Sequence, residues 1–237
     1  MRFGLGGTLL TRDHRCPCED LPRIAEEHHA NLWGHENVVV APLRCPRTRY
    51  WMVVRDPIER IFSRMFDEWF VAQKDHMTRA MATAALNSTL TFPGREHFKE
   101  FTGSAALNNY YVRSLTGPAV YSLPLGTVTA KHLEIATAAL RAIDVVIPLR
   151  NVSALPTLLG SLYGIPCNFP FDPSTVRVQE HSSPNAEMLA AESDMVFMAA
   201  LRHHNALDER LVLSAGALFE EAWDQSASRC RSVGWHK

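Results

Sequence analysis

The run YWMVVRDPIERIFSRMFDEW, residues 50–69, constrains the fold more than any other stretch of the chain. Residues 50–54 are apolar, aromatic and β-branched at strand length, which predicts a buried strand. Pro57 fixes φ and has no N–H to lose, so it suits the first turn of a helix, and Asp56 before it fits the N-cap. From there Ile58, Ile61, Phe62, Met65, Phe66 and Trp69 recur at helical spacing and form one apolar stripe. Arg55 then sits at the carboxyl end of the strand, and Ser63 about two turns into the helix. A guanidinium, a hydroxyl and a helix N-terminus together favour an anion. A plain β–α unit in which Arg55 pairs with Glu59 satisfies the same residues. The residues alone leave both readings open.

Elsewhere strand and helix patterns alternate. Strands are expected at 37–42 and 144–149 besides 50–54. Helices are expected at 21–29, 58–75, 77–90, 105–115, 129–142, 152–163 and within 186–223. Residues 91–103 and 165–185 read as irregular. The alternation predicts an α/β fold with a mainly parallel central sheet. A chain of 237 residues, 46% hydrophobic, is long enough for one domain with a substantial core. With 24 Lys+Arg and a net charge of −1 there is no basic field to attract nucleic acid. Arg44, Arg47 and Arg49 make one local basic cluster, which suits a polyanion or a solvated loop equally. No run of about twenty apolar residues is present, so no transmembrane segment is expected. The opening MRFGLGGTLLTRD is too short in apolar residues for a signal peptide. Cys16, Cys18, Cys45, Cys167 and Cys230 are odd in number and read as structural or as disulfide halves. His14-x-Cys16-x-Cys18 has no partner cluster at zinc spacing, so no metal site is expected. Asn87-Ser88-Thr89 and Asn151-Val152-Ser153 are glycosylation sequons, usable only in a secretory lumen.

Arg55, Asp56, Pro57, Arg60 and Ser63 form R-D-P-x-x-R-x-x-S, which resembles the 3′-phosphate-binding element of PAPS-dependent sulfotransferases. Its closest likeness is to Golgi carbohydrate sulfotransferases of the heparan sulfate and uronyl 2-O-sulfotransferase type. LNNYYVRSLTG, LRAIDVVIPLRNVSALPTLLGSLYG and LRHHNALDERLVLSAGALFEEAW are similar to further segments of that family, so the resemblance runs from about residue 34 to 223. It implies a three-layer, P-loop-NTPase-like sulfotransferase fold in a single domain over 1–237. It also implies PAPS as co-substrate, a glycan acceptor and a place in the Golgi lumen.

The resemblance assigns roles residue by residue. Arg55 and Ser63 would hold the 3′-phosphate. His35, in LWGHENVVVAPL, matches the family's catalytic base, and His181 is the second candidate. Read without the resemblance, His35 is an exposed loop histidine. Gly6, Gly7 and Thr8, in FGLGGTLL, match the loop that cradles the 5′-phosphosulfate. Gly4 stands where the family has lysine, so the leaving oxygen would depend on Arg2, Arg12 or Arg15. Arg113 lies one turn from Asn109 and is expected to contact nucleotide or a sugar carboxylate, whereas Tyr110 and Tyr111 either stack on a ring or fill core. The family's membrane anchor and first strand are missing, so the chain is expected to be N-terminally truncated or degenerate in its first loop. Two other outcomes follow: a weak or inactive protein that binds nucleotide only, or, less in keeping with the absent Walker motif, a kinase-like phosphotransferase.

Overall fold

The computed structural model describes residues 50–70, 107–164, 166–167 and 194–232, the stretch 64–70 as backbone only. Two apolar runs make the sheet. β1 (Trp51–Val54) pairs in parallel with β2 (Val145–Pro148), Trp51 opposite Val145 and Val54 opposite Pro148. Side chains alternate across a strand, and that alternation divides the interior in two. Met52, Val54 and Val146 pack with Tyr111, Val112, Leu115, Leu133, Ala136 and Leu140. Trp51, Val145 and Ile147 pack with Leu155, Leu158, Leu159 and Phe219 on the other face. Burial on both faces explains why every residue of β2 is apolar. Among the described residues this parallel pair, with helices on either side, is the whole sheet. The strand expected at 37–42 lies outside them.

Several of the helices begin where side chains satisfy their first amides. In α1 (Pro57–Phe70) Asp56 Oδ1 accepts from the N–H groups of Ile58 and Glu59 at 2.9 and 3.0 Å. The helix α2 (Tyr110–Thr116) is followed by the single turn α3 (Pro118–Tyr121) and by α4 (Ala130–Arg141), where the Thr129 N–H donates to His132 Nδ1 at 3.0 Å. After β2 a 3₁₀ segment (Leu149–Ala154) leads into α5 (Leu155–Tyr163), which ends at Gly164 with φ 68°. That left-handed C-cap is a position glycine takes without strain. Asp194 Oδ1 caps α6 (Met195–His204) by accepting from Val196 and Phe197 N–H. The long α7 (Ala206–Ser232) joins the two cores, Leu211 and Ala215 lying in the first and Phe219 in the second. The disulfide Cys167–Cys230 ties the segment after α5 to the end of α7, with the Cα atoms 6.1 Å apart.

Two breaks depart from the helical periodicity. The helix expected over 105–115 is broken at 108–109: Leu107 is helical, Asn109 takes a left-handed φ of 50°, and α2 begins at Tyr110. The helices expected within 186–223 are divided at Asn205. These breaks meet in space. Asn109 Oδ1 accepts from Leu207 and Asp208 N–H, both at 3.1 Å, and so caps α7. Asp208 in turn caps α2, its two carboxyl oxygens accepting from Tyr111 and Val112 N–H at 2.9 Å. Asn205 Oδ1 accepts from the Asn109 N–H, while its Nδ2 donates to the carbonyls of Leu107 and Leu201. All three side chains are buried, so water does not stand in for a missing cap.

Removing one partner from such a lock leaves buried amides unpaired, at about 1–3 kcal/mol for each group. Asp208→Ala is therefore expected to lower unfolding stability by about 2–4 kcal/mol in urea denaturation. Asp208→Asn, which keeps one acceptor oxygen, should lose less. A stability within experimental error of wild type for Asp208→Ala would contradict the cross-capped arrangement.

Candidate functional site

The strand-to-helix turn places a cation at a helix N-terminus. Arg55 follows the last residue of β1, and Asp56 and Pro57 open α1 directly after it. Arg55, Glu59 and Ser63 then follow at four-residue intervals, the spacing that brings side chains onto one face of a helix. Arg55 Nε lies 3.4 Å from Glu59 Oε2, with the two side chains 30% and 66% exposed. The plain ion pair is thus formed. Exposed pairs of this kind contribute at most about 1 kcal/mol, so an anion arriving at the Arg55 guanidinium has little to displace there. Ser63 is half-buried on the same stripe.

The turn is held from behind by α2. The Arg55 N–H donates to the Tyr111 hydroxyl at 2.9 Å. The Arg60 guanidinium lies 4.2 Å from the Tyr110 ring centroid and 5.9 Å from that of Tyr111, a cation–π arrangement strengthened by partial burial. Tyr110 and Tyr111 meet edge to face, and Tyr111 belongs to the first core. Tyr111 therefore works as a strut. Burial pushes its phenol up to about 12 against the opposing pull of the Arg60 charge and the Arg55 amide, so the hydroxyl is uncharged at neutral pH.

Arg113 departs from expectation. It is fully buried, and its donors go to the chain itself. Nε donates to Asn108 O, and Nη2 to Asn108 Oδ1 and Pro124 O, at 2.6 to 2.9 Å. Nη1 serves the carbonyls of Val120, Tyr121 and Leu123. A guanidinium has five N–H donors, and these six oxygens surround all of them. Arg113 thus folds the 118–124 turn onto α2 and turns no face toward a ligand. Burial lowers its pKa to about 10, partly offset by Asp208, which leaves it charged. Asn109 likewise serves α7. The i, i+4 spacing of Asn109 and Arg113 is real, but both side chains point into the protein.

Asp208 is the buried acid of this region. Burial raises its pKa from 3.8 to about 6, against the pull of the Tyr111 and Val112 amides and of Arg60 and Arg113. The remaining candidates, Gly6, Gly7, Thr8, His35 and His181, lie outside the described residues. Among the described residues no group of three or more His, Cys, Asp or Glu side chains is placed to hold a metal, and no helix is long and apolar enough to cross a membrane.

Two expectations follow. Tyr111→Phe removes the acceptor of the Arg55 amide, so hydrogen exchange of that amide should accelerate at least tenfold relative to amides in α4; an unchanged rate would show that the hydroxyl does not hold the turn. The second concerns pH. The folded Asp208 keeps its proton to about 6, whereas the unfolded carboxyl loses it near 3.8, so its contribution is full at low pH and fades as pH rises through that window. Relative to Asp208→Asn, the wild type should lose about 2 kcal/mol of stability between pH 4 and pH 6.5. Parallel stability curves for the two proteins would contradict the raised pKa.

No family model matches the chain, and no curated protein or solved structure does either.

Proposed function

We propose that the chain is a PAPS-dependent sulfotransferase that transfers a sulfuryl group to a hydroxyl of a carbohydrate. The observation that carries the reading is the element from β1 to Ser63. A reachable guanidinium stands at the carboxyl end of a strand with a parallel neighbour, directly before an Asp-capped helix N-terminus. Open α/β sheets bind ligands beyond the carboxyl ends of their strands, and phosphate suits a helix N-terminus. The residues fit the 3′-phosphate in charge and donor type: Arg55 supplies the cation and Ser63 the hydroxyl. Gly6, Gly7 and Thr8 would offer amides and a hydroxyl to the 5′-phosphosulfate.

In the reaction His35, or failing it His181, takes the proton of the acceptor hydroxyl. The acceptor oxygen bonds to sulfur as the bond from sulfur to the phosphate oxygen breaks, and adenosine 3′,5′-bisphosphate departs. In-line transfer of this kind depends on positioning and on charge stabilisation at the leaving oxygen. No metal takes part in this scheme. The acceptor is a glycan, the fold a single three-layer sulfotransferase domain, and the compartment the Golgi lumen. The Cys167–Cys230 disulfide supports an oxidising compartment. A second reading, a protein that binds the nucleotide without transferring sulfate, is favoured by Gly4, which stands where the lysine for the leaving oxygen is expected.

Calorimetric titration with adenosine 3′,5′-bisphosphate separates these possibilities. Wild type should bind it, and Arg55→Ala should bind at least tenfold more weakly, a loss of about 1.4 kcal/mol or more. Binding without sulfate transfer from labelled PAPS would select the second reading. No binding by well-folded wild type would refute both.

A further inference from the structure

The sequon Asn151-Val152-Ser153 lies at the same end of the sheet as Arg55, because the 3₁₀ segment that carries it follows the carboxyl end of β2. Asn151 sits at a kink there, with φ −107° and ψ 16°, and is half-exposed, while Ser153 is exposed and Val152 is buried. Beside it opens a cavity of about 310 Å³ lined by Asn151, Ser153, Ala154, Phe219, Glu220 and Trp223. Phe219 and Trp223 are stacked, their ring centroids 6.4 Å apart and their planes 17° from parallel. Phe219 is buried and Trp223 half-exposed, so the pair forms one aromatic wall of which the outer member reaches solvent. Glu220, on the next residue of α7, is exposed.

From this arrangement we infer that Asn151 is an N-glycosylation site whose first sugar packs in this cavity against Trp223. The chemistry fits a neutral N-acetylhexosamine. Its apolar C–H face suits an indole, which offers a large rigid surface at small entropic cost. Its hydroxyl and acetamide N–H groups can donate to the Glu220 carboxylate and the Ser153 oxygen. A concave site with one apolar wall and a few polar groups is the usual form of a small-ligand pocket. A negatively charged sugar would meet Glu220 and no cation among the lining residues. In the modifying step Asn151 Nδ2 bonds to the anomeric carbon of a lipid-linked oligosaccharide diphosphate. The lipid diphosphate leaves, and the amide proton passes to the transferring enzyme's base. The inference rests on secretion into an oxidising lumen, which the Cys167–Cys230 pair supports, and not on sulfuryl transfer.

The test sends the full chain into the secretory pathway of a mammalian cell behind an appended signal peptide. Mass spectrometry of the Asn151 peptide should find an N-linked glycan, removed by peptide N-glycosidase and absent in Asn151→Gln. An unmodified Asn151 in chains with Cys167–Cys230 oxidised would overturn the site, and so would reduced cysteines in chains recovered from the lumen. For the cavity, loss of the glycan should lower the melting temperature by about 2–4 °C. In Trp223→Ala that difference should vanish; if this variant fails to fold, Trp223→Leu keeps the bulk without the ring. Equal shifts with and without the indole would overturn the packing of the sugar on Trp223.

Discussion

Two helix N-termini that cap one another hold this protein together. Asn109 supplies the acceptor for the first amides of α7, and Asp208 supplies it for those of α2. Neither helix closes its own end with its own N-cap side chain. Helices short of a cap lose about 1 kcal/mol each, and a helix as short as α2 has little stability of its own. Its seven residues depend on a carboxylate that only the distant segment provides. Contacts between residues almost a hundred positions apart therefore fix the angle at which α2 lies across the sheet.

What α2 then positions is the candidate site. Its first turn presents Tyr110 and Tyr111 to the β1–α1 connection, one ring under the Arg60 guanidinium and one hydroxyl on the Arg55 amide. Arg113, at the far end of the helix, gathers the carbonyls of the following turn. A line of contacts thus runs from Asp208 through Tyr111 to Arg55. The β1–α1 turn is stiffened from the inside, while the Arg55 side chain itself remains on the surface with only a weak partner.

The parts legible in the sequence were those governed by local chemistry. The β1–Asp56–Pro57 junction, the cap at Thr129, the apolar run of β2 and the glycine end of α5 all follow from residue type and spacing, and the structure forms them. Asn108, Asn109, Arg113, Asn205 and Asp208 are the instructive misses. Their placement among apolar residues was visible, and so was the spacing of Asn109 and Arg113. Polar groups in that pattern suit a ligand or a buried lock equally well, and only the pairing of segments remote in sequence decides between them. The break at Asn109, and the point at which the helices within 186–223 divide, were hidden for the same reason, since a helix periodicity continues through a residue whose side chain is about to cap another helix. Gly6, Gly7, Thr8, His35 and His181 stay as the sequence left them.

A crystal structure of the protein with adenosine 3′,5′-bisphosphate tests the central claim most directly. The 3′-phosphate is expected within hydrogen-bonding distance of the Arg55 guanidinium and Ser63 Oγ, at the N-terminus of α1, with Glu59 displaced from Arg55. A nucleotide bound elsewhere, or an Arg55–Glu59 pair left intact beside an ordered ligand, would contradict it.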